Sequence, residues 1–255
     1  MSDARCSATT LVNFVDRSPL MNAQPFKYLC LAGLLSCSSL YAQTFQITHD
    51  STLPYDAKIV MDACESDHCE GSAHIDLIAP HNQQVVQSFI SEDLSMFLQD
   101  GQPSHNVVQL YGEQSPLIMN DFNFDGSLDL AIRNGNNSGY GGPSYDVYVY
   151  QKRQKRFVPS AELNDLVLNN LGMFQVDQHR KRLITFSKSG CCWHLRTEYA
   201  VAPQQGLVEM AAVEEAVTTD GQFVEVTTRT RKGGLRGQMR SHHKRYPINT
   251  YYPAN

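Results

Sequence analysis

Eleven short β-rich runs, each ended by turn residues, leave this chain few folds to choose from. They read "AKIVMDA" (57–63), "SAHIDLIA" (72–79), "QVVQSFI" (84–90), "NVVQLY" (106–111), "LDLAIRN" (128–134) and "YDVYVYQ" (145–151). Then come "MFQVD" (173–177), "RLITFSKS" (182–189), "HLRTEYAVA" (194–202), "GLVEMAAVEEAV" (206–217) and "QFVEVTTRT" (222–230). Several alternate apolar with polar residues, and turn signals such as "DG", "NG", "GG" and "PQQG" separate them. Strands this short and this close pair with their neighbours. The expected fold is therefore all-β, an antiparallel short-strand meander resembling a small propeller, with a β-sandwich as the alternative. One short helix is predicted near 160–170, in "SAELNDLVLNN", with Ser160 as its cap.

Charge and composition divide the chain. From Met21 the sequence reads "MNAQPFKYLCLAGLLSCSSLYAQ", where one lysine precedes an apolar run too short to span a bilayer. That is the pattern of a secretory signal, so residues 1–36 read as an upstream extension plus signal peptide, with translation starting at Met21. "LLSC" makes Cys37 a lipidation site, and "LYA" ending at Ala42 is the competing cleavage site. Residues 37–44 then form a tether, 45–228 the β domain and 229–255 a basic tail expected to lack structure. Residues 37–228 carry 11 basic and 24 acidic side chains, a net −13, whereas the tail has seven basic and none acidic. An acidic body turns away nucleic acid and favours cationic partners.

Export also decides how the cysteines are read. Cys64, Cys69, Cys191 and Cys192 form an even set in an oxidising compartment, so two disulfides are expected. Pairing within each cluster requires a strained vicinal ring at Cys191–Cys192. Pairing between clusters closes a long loop, worth about 4–5 kcal/mol in the chain-entropy model. Zinc bound with His68 and His194 is a further option, against which the C-x4-C spacing counts.

Oxygen-bearing residues recur at every second position in "DFNFDGSLD". Asp121, Asn123 and Asp125 stand at positions 1, 3 and 5 of a calcium loop, and Gly126 stands at the sharp turn. Ser127 offers its backbone carbonyl at position 7, and Asp129 stands at position 9. Position 12, a glutamate in an EF-hand, is Ile132, and the flanks read as strand, so the pattern is that of the calcium loops joining strands in integrin-type propellers. Calcium is a weak Lewis acid and no histidine lies nearby, so the expected role is to pin a hairpin. After it comes "NGNNSGYGGPSYD", whose tyrosines among small residues have the composition of a protein-binding loop. It lacks the lysine and spacing of a phosphate loop. Neither Ser187 nor Ser189 lies in a nucleophile elbow, and the thiols beside His194 are expected to be oxidised.

"DFNFDGSLDLAIRNGNNSGYGGPSYDVYVY", a later "LGMFQVD", and "TFSKSGCCWH" before "TEYAV" resemble the periplasmic immunity lipoproteins of the bacteria-killing type IV secretion system. Those proteins in turn resemble periplasmic lysozyme inhibitors. The resemblance covers roughly residues 57–217. It implies an all-β fold and calcium held by Asp121, Asn123, Asp125, Ser127 and Asp129. It also implies a lipid-anchored periplasmic protein without catalytic residues that inhibits a lysozyme-like peptidoglycan hydrolase delivered by neighbouring cells. In lysozyme inhibitors a Ser-Gly-x-x-Tyr type loop plugs the cleft of the enzyme. The similar "SGYGGPSY" implies contacts by Asn136, Ser138, Tyr140, Ser144 and Tyr145. A calcium-dependent envelope hydrolase and an integrin-like adhesion module are the alternative readings.

Overall fold

The structure, a computed structural model, describes residues 42–61, 64–203 and 205–253. The expected signal segment and the lipidation site Cys37 lie outside them. Among the described residues no helix is long and apolar enough to cross a membrane.

The chain folds as three antiparallel meanders. The first joins β1 (Gln43–Ile47), β2 (Asp56–Met61), β3 (Cys64–Glu65), β4 (His68–Ile78), β5 (Val85–Gln99) and β6 (Gln102–Pro103). The second is β7 (Leu117–Asn120), β8 (Asp129–Arg133), β9 (Tyr145–Gln151) and β10 (Arg156–Pro159). After α1 (Ala161–Leu168) comes the third: β11 (Gln175–Asp177), β12 (Arg182–Ser189), β13 (Trp193–Ala202), β14 (Gly206–Val217), β15 (Phe223–Lys232) and β16 (Gln238–Pro247). A final turn of helix, α2 (Ile248–Tyr251), closes the described chain.

Side-chain alternation shows how the layers stack. Leu117, Met119, Leu130, Ile132 and Phe157 of the second sheet join a core built with the first. Ile118, Ala131, Tyr145 and Val147, from the opposite face of that sheet, join a second core with α1, Phe174 and Leu183. The second sheet is thus an inner layer, apolar on both faces, and all five residues of β8 are buried. Helix α1 covers its outer side. Its first turn is capped by Ser160, whose Oγ accepts the Leu163 N–H.

Three expectations need correction, and the two expected disulfides take one of the pairings left open. "NVVQLY" is not a strand: Asn106 and Tyr111 adopt positive φ (59° and 60°), and the segment makes a single isolated bridge, Val108 to Gln114. Asn106 instead covers the open edge of β7, its N–H bonding Leu117 O at 3.0 Å and its Oδ1 accepting the Met119 N–H at 2.6 Å. That satisfies an edge which would otherwise offer itself to another chain. The β structure begins earlier than the expected residue 45, because β1 starts at Gln43. The disulfides pair within clusters, Cys64–Cys69 and Cys191–Cys192, not between them. Cys64 and Cys69 face each other in the β3–β4 ladder, a register that brings them together without help from the distant pair.

The basic tail is also ordered. Strand β15 runs on to Lys232 and β16 pairs with it from Phe223–Pro247 to Lys232–Gln238. Its charges find partners that a linear count does not reveal: Arg229 bonds Glu209 and Glu214 on β14, both at 3.0 Å. The Arg245 guanidinium lies 4.0 Å from the Phe223 ring centroid.

Candidate functional site

Both candidate loops belong to one hairpin, β8–β9. The aspartate loop enters it at the open end, and the Gly/Tyr loop is its closed end. Strand β8 separates them by five residues, on the order of 15 Å at strand rise. The aspartate loop therefore does not adjoin the tyrosines; it clasps the far end of the same element.

In the aspartate loop, alternation does the positioning. Phe122 is fully buried and meets Phe174 edge-on at 5.3 Å between centroids, contributing roughly 2–3 kcal/mol of apolar burial. Its neighbours Asp121 and Asn123 consequently turn the other way. Asp121 accepts the N–H groups of Asp125 (3.0 Å) and Gly126 (2.8 Å), Asn123 Oδ1 that of Asp125 (2.9 Å), and Asp125 Oδ1 that of Ser127 (2.8 Å). These bonds curl the backbone through Phe124 (φ 59°) and Gly126 (φ 83°), and no atom crowds a Cβ at Gly126. Lys152 Nζ donates to the Asp125 carbonyl at 2.8 Å and supplies a nearby positive charge.

Asp129 lies at the bottom of the loop, with no exposure to solvent. Its Oδ2 accepts the N–H groups of Phe122 (2.9 Å) and Asn123 (3.2 Å), and its Oδ1 accepts that of Tyr150 on β9 (2.9 Å). Burial pushes its carboxyl up to about 6 against the pull of those three donors, and the Asp121 charge adds to the push. A buried carboxylate with that tendency gains from a cation. Among the described residues no group of three or more His, Cys, Asp or Glu side chains is arranged as a metal cluster. The donors at positions 1 to 9 are nevertheless all oxygens, three carboxylates, an amide and a backbone carbonyl, the chemistry that suits calcium.

The Gly/Tyr loop is stiff. Ser138 N–H bonds Gly142 O at 3.1 Å, Gly142 N–H bonds Gly139 O at 3.2 Å, and Gly139 N–H reaches Asn170 O at 2.7 Å. A Cβ on Gly139 would stand 2.8 Å from that same Asn170 oxygen, so the backbone approach requires glycine. Ser144 Oγ donates to Asn134 O and accepts the Asn137 N–H at 3.1 Å. Arg133 Nη2 holds Asn136 Oδ1 at 2.7 Å.

These bonds divide the expected contact residues. Tyr140, 60% exposed in a left-handed conformation (φ 59°), stands at the tip, and Asn136 is exposed beside it. Tyr145 does not belong to the surface: it is 2% exposed, and its hydroxyl donates to Ser115 O at 2.8 Å inside the second core. As the first residue of β9 it falls on the inward face of the pleat, and burial raises its phenol pKa well above the usual value. Ser144 and Ser138 are likewise buried, and they shape the loop from within.

Two surface residues escape a linear reading. Tyr111, 68% exposed, comes from the loop before β7, and Lys188 comes from β12. The Lys188 ammonium lies 4.7 Å from the Tyr111 ring centroid and 4.8 Å from that of Tyr140, a cation between two aromatic faces. The Tyr140 hydroxyl accepts the Gly190 N–H in the turn that carries Cys191–Cys192. Beneath the pair is a recess of about 150 Å³, lined by Gln114, Gly139, Pro143 and Leu171 among others. Among the described residues Gln114 Oε1, buried in its wall, has no hydrogen-bond partner.

No family model matches this chain, and no curated protein matches it either. A solved structure described as a Xanthomonas type IV secretion system related protein is similar in fold, with a TM-score of 0.55 and 20% sequence identity. The likeness covers 79% of this chain and 99% of the other. At that identity it speaks for the fold alone.

Proposed function

We propose that this chain is a periplasmic immunity protein that binds and inhibits a lysozyme-like peptidoglycan hydrolase, without turnover of its own. The observation that carries the reading is the exposed Tyr140 at the tip of a hairpin loop whose backbone bonds itself and Asn170, and whose Ser144 hydroxyl bonds Asn134 and Asn137. A stiff loop gives up little conformational entropy on binding, which favours insertion into a preformed cleft. Tyr140, with Tyr111 and Lys188, offers a phenol donor, two aromatic faces and an ammonium to a site rich in carboxylates and sugar-binding surface. The fold it shares with a protein described as type IV secretion system related supports the same context.

Calcium in this reading is structural. Held by Asp121, Asn123, Asp125, the Ser127 carbonyl and Asp129, it fastens the open end of β8–β9, leaving the closed end to touch the partner. The acidic body would steer a cationic enzyme towards it. Export by the segment before β1 and anchoring through Cys37 complete the proposal. The test is release of muropeptides from purified cell walls by a lysozyme-like peptidoglycan hydrolase, with and without the chain. Suppression of release supports inhibition. Release by the chain alone would make it an enzyme and end this reading.

A further inference from the structure

The β15–β16 hairpin joins charge to an exposed apolar tip. Its turn, residues 233–237, contains Leu235, 40% exposed, between two glycines at positive φ (Gly233, 90°; Gly234, 73°) and Arg236. The ladder pairs Lys232 with Gln238 and Thr230 with Arg240, so Lys232 and Arg240 share one face of the hairpin beside that tip. Among the described residues Lys232, Arg236 and Arg240 form no ion pair, whereas Arg229 and Arg231 on the other face are engaged by Glu209, Glu214 and backbone carbonyls. No acidic residue occurs from Arg229 to the end of the chain. Solvated charge alone needs no leucine at the tip.

The hairpin also has a definite place. Strands β13 to β16 bring its turn to the end of the third sheet opposite Gly190, the turn that holds Tyr140. A surface gripped by the hairpin would leave the tyrosine end facing away from it.

We infer that this hairpin docks on an anionic phospholipid bilayer, with Leu235 entering the interface and Lys232, Arg236 and Arg240 meeting headgroup phosphates. A cation near such a surface strengthens binding about fivefold, so three together contribute about a hundredfold. The inference stands apart from hydrolase inhibition and from any lipid on Cys37.

Flotation of the full chain tests it, using vesicles of phosphatidylcholine alone and vesicles with roughly a third phosphatidylglycerol, the latter chosen to give a surface potential. Reading the difference between the two vesicle types removes any contribution of an amino-terminal anchor. The expected result is a preference for anionic vesicles that salt weakens. The variant K232Q/R236Q/R240Q should lose about a hundredfold of that preference. Leu235→Ser, which leaves the ladder intact, should lose about tenfold in binding. Equal binding to both vesicle types, or a preference unchanged in the triple variant, overturns the inference. So does tighter binding to duplex DNA than to anionic vesicles, since the basic face would then serve nucleic acid.

Discussion

Asp129 Oδ1 accepts the Tyr150 N–H at 2.9 Å across the open end of the β8–β9 hairpin, whose closed end carries Tyr140. The candidate metal loop and the candidate contact loop are therefore the two ends of one element in the inner sheet. Changes at the open end should act on stability, and changes at the exposed tip of the closed end on the proposed binding of a hydrolase.

Asp129→Ala should leave the N–H groups of Phe122, Asn123 and Tyr150 without their acceptor. Removing the partner of a buried donor costs about 1–3 kcal/mol, so a loss at or beyond the upper end is expected. Urea denaturation monitored by circular dichroism measures it. A midpoint equal to that of the wild type would mean that water replaces the carboxylate and that the clasp carries no load.

Calcium should raise the melting temperature of the wild type and leave that of Asp121→Ala nearly unchanged. At a calcium concentration one hundred times the dissociation constant, linkage gives about 2.7 kcal/mol. Calorimetry on chelator-treated protein checks the binding directly. Absence of heat and of any thermal shift at millimolar calcium would reduce the loop to an acid-rich turn.

Gly139→Ala places a Cβ 2.8 Å from Asn170 O, against backbone that cannot swing aside as a side chain could. The loop should move off the α1–β11 connection, at a cost of about 1–3 kcal/mol in stability and with weaker binding of the hydrolase. Gly101→Ala, where φ is positive (77°), unlike at Gly139, and the surroundings are open, shows backbone strain without displacement of the loop. Similar partner affinity in both variants would argue against a role for loop position.

Lys188→Ala should weaken the partner complex with little change in folding, since the side chain lies between two exposed rings. Cation–π contacts at exposed sites contribute about 0.5–1 kcal/mol each, which bounds the loss in stability. Surface plasmon resonance and a melting curve on the same preparation separate the two effects. A large fall in melting temperature with unaltered binding would make the cation a structural brace.

Much of this architecture is legible in the chain because strand alternation records burial. "YDVYVYQ" and "RLITFSKS" become β9 and β12 over the whole of their runs, and Ser160 caps the helix it was expected to cap. What alternation cannot record is which partner a segment finds. "NVVQLY" has the composition of a strand, but Asn106 is drawn to the edge of β7, and that contact outweighs its propensity. Strand β16 reads as an unpaired basic run until β15 lies beside it. Tyr145 looks equivalent to Tyr140 in a glycine-rich run, yet the pleat turns one inward and the rigid loop holds the other out. The Tyr111–Lys188 contact joins residues from two distant parts of the chain, which no local pattern announces.

The pair Tyr140 and Tyr145 tests the central claim most directly. Inhibition of peptidoglycan cleavage is titrated with wild type, Tyr140→Ala and Tyr145→Phe, alongside a denaturation curve for each. Tyr140→Ala should fold as the wild type does and require at least about thirtyfold more protein for half inhibition, the loss of a contact worth about 2 kcal/mol. Tyr145→Phe, which removes only the buried hydroxyl bond to Ser115, should lose about 1 kcal/mol of stability and inhibit normally. Normal inhibition by Tyr140→Ala, with impaired inhibition by a folded Tyr145→Phe, would contradict the assignment of the hairpin tip as the contact surface.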